Sequence, residues 1–148
     1  AISACRHAIE WQRALALLAA TSRTILETDT VSCGAAISAC GKDAKWQQVF
    51  ALLVAMGRVV IQPNAISYSA AISTCEKGVQ WQIALALFAA INLAVLQPDT
   101  ISYNAAISAC EKCGKWQQAI ALLTAMGHAV VQPNTISFSA AISACEKG

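Results

Sequence analysis

Residues 100–134 read TISYNAAISACEKCGKWQQAIALLTAMGHAVVQPN, and the spacing of their apolar residues decides the fold. Tyr103, Ala106, Ile107 and Cys110 fall at intervals of three and four, the spacing that puts side chains on one face of an α-helix. Ser102 stands before them as an N-cap whose hydroxyl can satisfy a free amide of the first turn. Gly114 supplies a helix stop and a tight turn. A second helix follows, with Trp116, Ala119, Ile120, Leu123 and Met126 expected on one face. Ala121, Leu122 and Ala125 leave little polar surface elsewhere, so this helix is expected to be buried nearly all round. Gly127 is expected to end it, and a short segment leads through Pro133 to Asn134.

Working outward, the same unit recurs along the chain. AISAC occupies 1–5, 36–40, 106–110 and 141–145, AISTC occupies 71–75, and Trp-Gln pairs fall at 11–12, 46–47, 81–82 and 116–117. The full copies are 30–64, 65–99 and 100–134, each 35 residues long, flanked by partial copies at 1–29 and 135–148. Punctuation repeats as well. Gly57 and Asn92 take the place of Gly127, and Pro63 and Pro98 match Pro133; the first copy departs, with Ser22 and Thr28 at those places. A strict period of helical hairpins means that each unit covers its neighbours, so the expectation is an all-α solenoid forming one domain over 1–148. The chain opens and stops in mid-repeat, and the expectation is a piece of a longer protein, with room for targeting segments outside it.

Composition fits stacked helices and removes several function classes. The 148 residues are 57% hydrophobic and only 12% charged. The longest apolar runs, such as 119–126, fall well short of the ~18 residues that a spanning helix needs, so no membrane role is expected. A net charge of +2 is low for a protein that holds duplex DNA through its phosphates. Seven cysteines raise the question of disulfides or metal. Five of them, Cys5, Cys40, Cys75, Cys110 and Cys145, recur once per repeat. Equivalent positions on stacked helices lie roughly 8–10 Å apart, beyond the ~7 Å that a disulfide allows. Buried thiols in a reducing compartment are the better reading. Cys110 and Cys113 form one CxxC with no second pair, so no metal site is expected. His7 and His128 lack triad-like or metal-ligand neighbours, and no enzymatic activity, cofactor or small-molecule substrate is expected. The carboxylates, Glu76, Glu111 and Glu146 among them, recur as a solvated edge.

Function must then sit on residues that packing does not explain. Asn104, Ser108 and Lys112 are four apart and share a second, polar face of the first helix. Their equivalents are Gly34, Ser38 and Lys42, then Ser69, Ser73 and Lys77, then Ser139, Ser143 and Lys147. Stacked, these form a ladder with a hydrogen-bonding group at one edge and a cation at the other, which suits a single strand with bases on one side and phosphates on the other. The lysines also suit a plainer role, a cation at the negative end of a helix dipole, and both readings stay open. The Trp column (Trp11, Trp46, Trp81, Trp116) could stack on bases, but it opens the apolar second helix, which favours packing between repeats.

The period of 35, the helix start Ile101-Ser102-Tyr103-Asn104 and the closing Pro-Asp or Pro-Asn together resemble pentatricopeptide repeats over the whole chain. The Trp-Gln opening of the second helix departs from the charged start common in plant members. The resemblance implies a right-handed superhelix that binds single-stranded RNA, one base per repeat read by two or three side chains. It implies that the fifth and last residues of each repeat read the base: Gly34 with Asn64, Ser69 with Asp99, and Asn104 with Asn134, with Asp29 and Ser139 in incomplete pairs. Ser with Asp is expected to favour guanine, Asn with Asn a pyrimidine, and the Gly34 repeat to discriminate poorly, leaning to adenine. It implies further that Val31, Ile66, Ile101 and Ile136 wedge between bases, against the alternative that they pack between repeats, and that Lys42, Lys77, Lys112 and Lys147 contact phosphate. Organellar RNA processing, stability, editing or translation in a mitochondrion or plastid is the setting implied, with protein partners bound through flanking regions. The rival reading is a scaffold of the tetratricopeptide type, against which stand the period and the missing W-x2-L-G-x2-Y pattern.

Overall fold

The computed structural model describes Ile37, residues 46–58 and residues 63–148. Among these the chain forms six α-helices and no strand: α1 (Trp46–Arg58), α2 (Ala65–Lys77), α3 (Trp81–Leu93), α4 (Thr100–Lys112), α5 (Trp116–His128) and α6 (Thr135–Lys147). Each is 13 residues long. They alternate in role. The first helices of successive repeats, α2, α4 and α6, pack directly on one another, while α3 and α5 each lie against the first helix of their own repeat and of the next. This is the expected all-α solenoid.

Burial explains why the first helices stack so closely. Tyr103, Ala106, Ile107 and Cys110 are buried as their spacing implies, and Ala105 and Ala109 are buried too. Alanines on both flanks of α4 let α2 and α6 approach it from either side. Phe88 of α3 meets Tyr103 edge-on at 4.7 Å between ring centroids, tying one hairpin to the next.

The second helices differ from expectation. In α5 the buried residues are Ala119, Leu122 and Met126, whereas Trp116 and Ile120 are 42% and 41% exposed. Ile120 lies about 100° round the helix from Ala119, outside the stripe that faces the first helices. The helix buries one face and is not buried all round. Ala84, Leu87, Phe88 and Ile91 of α3 form the same stripe one repeat earlier.

Helix ends also correct the sequence reading. The N-caps are Asn64, Asp99 and Asn134, each accepting the amide of the residue three positions on, Ser67, Ser102 and Ser137. Ser102 is therefore the receiver of a cap, one turn inside the helix. Gly127 does not end α5, which runs on to His128. The left-handed residue that follows is Val130 (φ 60°), matched by Val95 (φ 57°) after α3. The other turn uses the same device: Gly114 (φ 62°) after α4 and Val79 (φ 57°) after α2. In each case the next amide reaches back five residues, as in Lys115 N–H to Cys110 O at 2.9 Å and Leu96 N–H to Ile91 O at 3.1 Å. These are the bonds of a Schellman terminus, satisfying carbonyls that the helix leaves open.

No helix among the described residues is long and apolar enough to cross a membrane. No group of three or more His, Cys, Asp or Glu residues there could hold a metal ion.

Candidate functional site

Capping places the last residue of one repeat against the fifth residue of the same repeat, 30 positions earlier in the chain. Asp99 caps α4 through Oδ1, which accepts from Ser102 N–H at 2.8 Å and from the Ser102 hydroxyl at 2.7 Å. Ser69, on α2, donates to that same oxygen at 3.3 Å and shares a hydrogen bond with the Ser102 hydroxyl. Ser69 Oγ also lies 2.9 Å from Ala65 O, within its own helix. One repeat on, Asn134 Oδ1 accepts from Ser137 N–H at 3.1 Å, and Asn104 Nδ2 donates to it at 3.3 Å. The Ser137 hydroxyl donates to Asn104 Oδ1 and accepts from Asn134 N–H at 3.1 Å. The structure thus brings together Ser69 with Asp99 and Asn104 with Asn134.

The caps fix what each pair shows to solvent. An amide N–H at the start of a helix needs an acceptor, so Asn134 must turn Oδ1 inward, which sends its Nδ2 outward as a double donor. Asn64 is held the same way by Ser67 N–H at 2.9 Å. Asp99 spends Oδ1 on its cap, and its second carboxylate oxygen accepts no hydrogen bond among the described residues. Asp99 and Asn134 are exposed, Asn64 and Asn104 half-buried, and Ser69 buried. One repeat therefore displays an acceptor and the next a donor at the same place.

The rest of the ladder lies beside these pairs. Ile66, Ile101 and Ile136 are 70%, 63% and 59% exposed. Ile136 and Ser139 line a shallow open cavity of about 280 Å³ between α4 and α6, together with Thr135 and with Ser108 and Ser143 of the polar stripe. Ser139 is exposed. Lys112 reaches back one repeat to Glu76, 3.0 Å from Oε1 and 3.3 Å from the backbone oxygen, and Lys147 reaches Glu111 at 2.7 Å. Glu76 and Glu111 are thus more than a solvated edge: they anchor the cations of the following repeat. Both lysines stay partly exposed, at 37% and 52% for the side chain, and a Lys ammonium has three donors. Lys77 closes α2. Asp29, Val31, Gly34 and Lys42 lie outside the described residues.

Of the Trp column, Trp46 and Trp81 belong to the repeat joints, Trp116 is 42% exposed and Trp11 lies outside the described residues. Trp46 and Trp81 pack against the core, and Lys115 of the next repeat sits over the Trp81 ring at 5.4 Å. The Cys75 and Cys110 thiols are buried, and burial pushes each up to about 11, so they stay protonated at neutral pH; the Cys113 charge adds to the shift at Cys110.

The residue that sequence reasoning missed is the third of each repeat. Ser67, Ser102 and Ser137 are all fully buried, yet each hydrogen-bonds the last residue of the repeat before it. The signal was present as a Ser at 32, 67, 102 and 137, but a partner 33 residues away leaves no local trace.

Comparison with known proteins agrees with this geometry. Residues 98–147 match the model of the PPR repeat family. No curated protein sequence matches the chain. Among solved structures, the chain resembles the PPR domain of Arabidopsis thaliana protein-only RNase P 1, crystallised in complex with tRNA: TM-score 0.77 at 15% identity, covering 93% of this chain and 72% of that one. At that identity the likeness carries the fold. The repeats at 30–64 and 65–99 are copies of the one inside the matched segment, with the same AIS-x-C and Trp-Gln landmarks at the same spacing. Residues 98–147 therefore carry the pattern of the pentatricopeptide-repeat family, and the chain has the fold of its solenoids.

Proposed function

We propose that this array binds single-stranded RNA, with one base set against each pair of fifth and last residues. The observation that carries the reading is the outward group at each cap: the second carboxylate oxygen of Asp99 and the amide nitrogen of Asn134. Guanine's Watson–Crick edge has two adjacent donors, N1–H and the N2 amino group, which suit the Asp99 acceptor. Cytosine's edge has two adjacent acceptors, N3 and O2, which suit the donors of Asn134, and uracil offers carbonyl oxygens to the same group. Buried Ser69 holds the pair more than it touches the base. Exposed Ile66, Ile101 and Ile136 offer apolar surface for stacking between bases, and Lys112 and Lys147 offer donors to phosphate.

Single strands fit and duplexes do not, because an A-form helix hides these base edges in pairing. The similar PPR domain was crystallised with tRNA, which supports an RNA ligand for this array. Organellar RNA processing, stability, editing or translation is the setting proposed, by family resemblance. Fluorescence anisotropy with short RNAs tests the reading. Single-stranded RNA is expected to bind more tightly than the same sequence in duplex. Asp99→Ala and Asn134→Ala should each weaken binding of the preferred sequence by about tenfold, at the low end of a good base contact. Equal binding of single and double strands by a helical, folded protein would exclude base reading and favour a protein-binding scaffold.

A further inference from the structure

We infer that the buried serine at the third position of each repeat is a positioning residue that sets the specificity of the repeat before it; the inference rests on the RNA-binding reading above. Ser137 and Ser102 each sit at the joint of two repeats, fully buried, and touch both members of the preceding reading pair.

Counting protons shows what the serine does. A serine hydroxyl has one proton to donate and lone pairs to accept with. Ser137 donates to Asn104 Oδ1 and receives Asn134 N–H. Asn104 is thereby held with its oxygen inward, and its Nδ2 points to Asn134 Oδ1 and outward. Both members of that pair then offer donors. At the earlier joint the Asp99 carboxylate, 2.7 Å away, takes the proton of Ser102. Ser102 can then accept from Ser69, whose buried hydroxyl keeps its proton inward. The group that this pair shows is the second carboxylate oxygen of Asp99, an acceptor. One serine, in the same place, supports a pair that shows donors or a pair that shows an acceptor according to whether Asn or Asp ends the repeat.

Without the hydroxyl, the Asn104 carboxamide loses the bond that holds its oxygen inward and keeps only the 3.3 Å bond from Nδ2 to Asn134 Oδ1, and the Ser69 proton turns to Ala65 O or Asp99 Oδ1. The backbone cap is untouched, because alanine keeps the amide that Asn134 or Asp99 accepts. Orientation is lost while the helix start remains.

The experiment uses the full chain and a panel of short single-stranded RNAs with each nucleotide varied through the four bases. Ser137→Ala is expected to cut the preference for a pyrimidine at the nucleotide read by Asn104 and Asn134 by about fivefold, the size of one hydrogen bond lost. Preference at the neighbouring nucleotide, read by Ser69 and Asp99, should not move; Ser102→Ala should do the converse. Ser137→Thr, which keeps the hydroxyl, should restore the preference. Circular dichroism confirms that each variant is helical. An equal loss of affinity for every sequence, or an unchanged preference in Ser137→Ala, overturns the inference and leaves RNA binding standing. Failure of the wild-type chain to bind any single strand overturns both.

Discussion

At the scale of one residue, Val130 shows how much a backbone dihedral can hide from a sequence reading. It is 89% exposed, so its side chain contributes no burial, yet it holds φ at 60°. A left-handed conformation costs a residue with a Cβ roughly 1–2 kcal/mol, and β-branching makes it worse. Gly114 takes the same conformation at the other type of turn, where glycine meets no such penalty. Val130→Gly is therefore expected to stabilise the fold by about 0.5–1 kcal/mol, the strain relieved less glycine's greater freedom in the unfolded chain. A urea titration reads this as a higher midpoint at unchanged slope. A lower midpoint would mean that the valine carries a contact beyond its own turn. The valines at 95 and 130 break a local rule, and a reading that looks for glycine at helix ends passes over them.

At the scale of the element, that rule misdirects the sequence reading of α5. Gly127 is the natural terminator, but the helix runs through it, and a Cβ there would meet nothing within 4 Å. Gly127→Ala should then stabilise the fold by about 0.5–1 kcal/mol, the helix-interior difference between the two residues. A thermal melt checks it, and destabilisation would restore the glycine to a capping role. First helices are legible in the sequence because Tyr103, Ile107 and Cys110 alternate with polar residues, so the apolar period stands out. Second helices are not, because a run such as Ala119–Ala125 is apolar at nearly every step and the period has no contrast; the expected stripe is displaced toward Ile120. N-caps are ambiguous for a different reason. Asp99 and Ser102 are both good capping residues three positions apart, and only the backbone tells which one stands outside the helix. The pairing of fifth with last residue came from resemblance, and the serine between them was beyond any local pattern.

At the scale of the whole molecule, the charges form a chain of cross-repeat pairs. Glu76 holds Lys112, and Glu111 holds Lys147, so the cations proposed to meet phosphate are partly neutralised before any strand arrives. Exposed pairs of this kind add at most about 1 kcal/mol to stability. Their larger effect falls on binding. Glu76→Gln together with Glu111→Gln leaves the two lysines in place and removes their counter-charges. This variant is expected to bind single-stranded RNA more tightly at low salt and to show a steeper loss of affinity with salt, by up to about 0.7 in log–log slope per lysine released to phosphate. An unchanged slope would place the phosphates elsewhere on the surface.

The caps carry a last consequence, for how such arrays change by recombination. Asp99 ends one sequence copy but works with Ser69 of its own copy and Ser102 of the next. A crossover at the boundary between 99 and 100 therefore cuts through a working unit and joins a reader to a foreign support. A crossover between Ser102 and Asn104 keeps the units on both sides whole, since the next one runs from Asn104 to Asn134 and Ser137. The repeated segment and the hydrogen-bonded unit are out of phase, and module exchange that preserves the proposed reading pairs must follow the second.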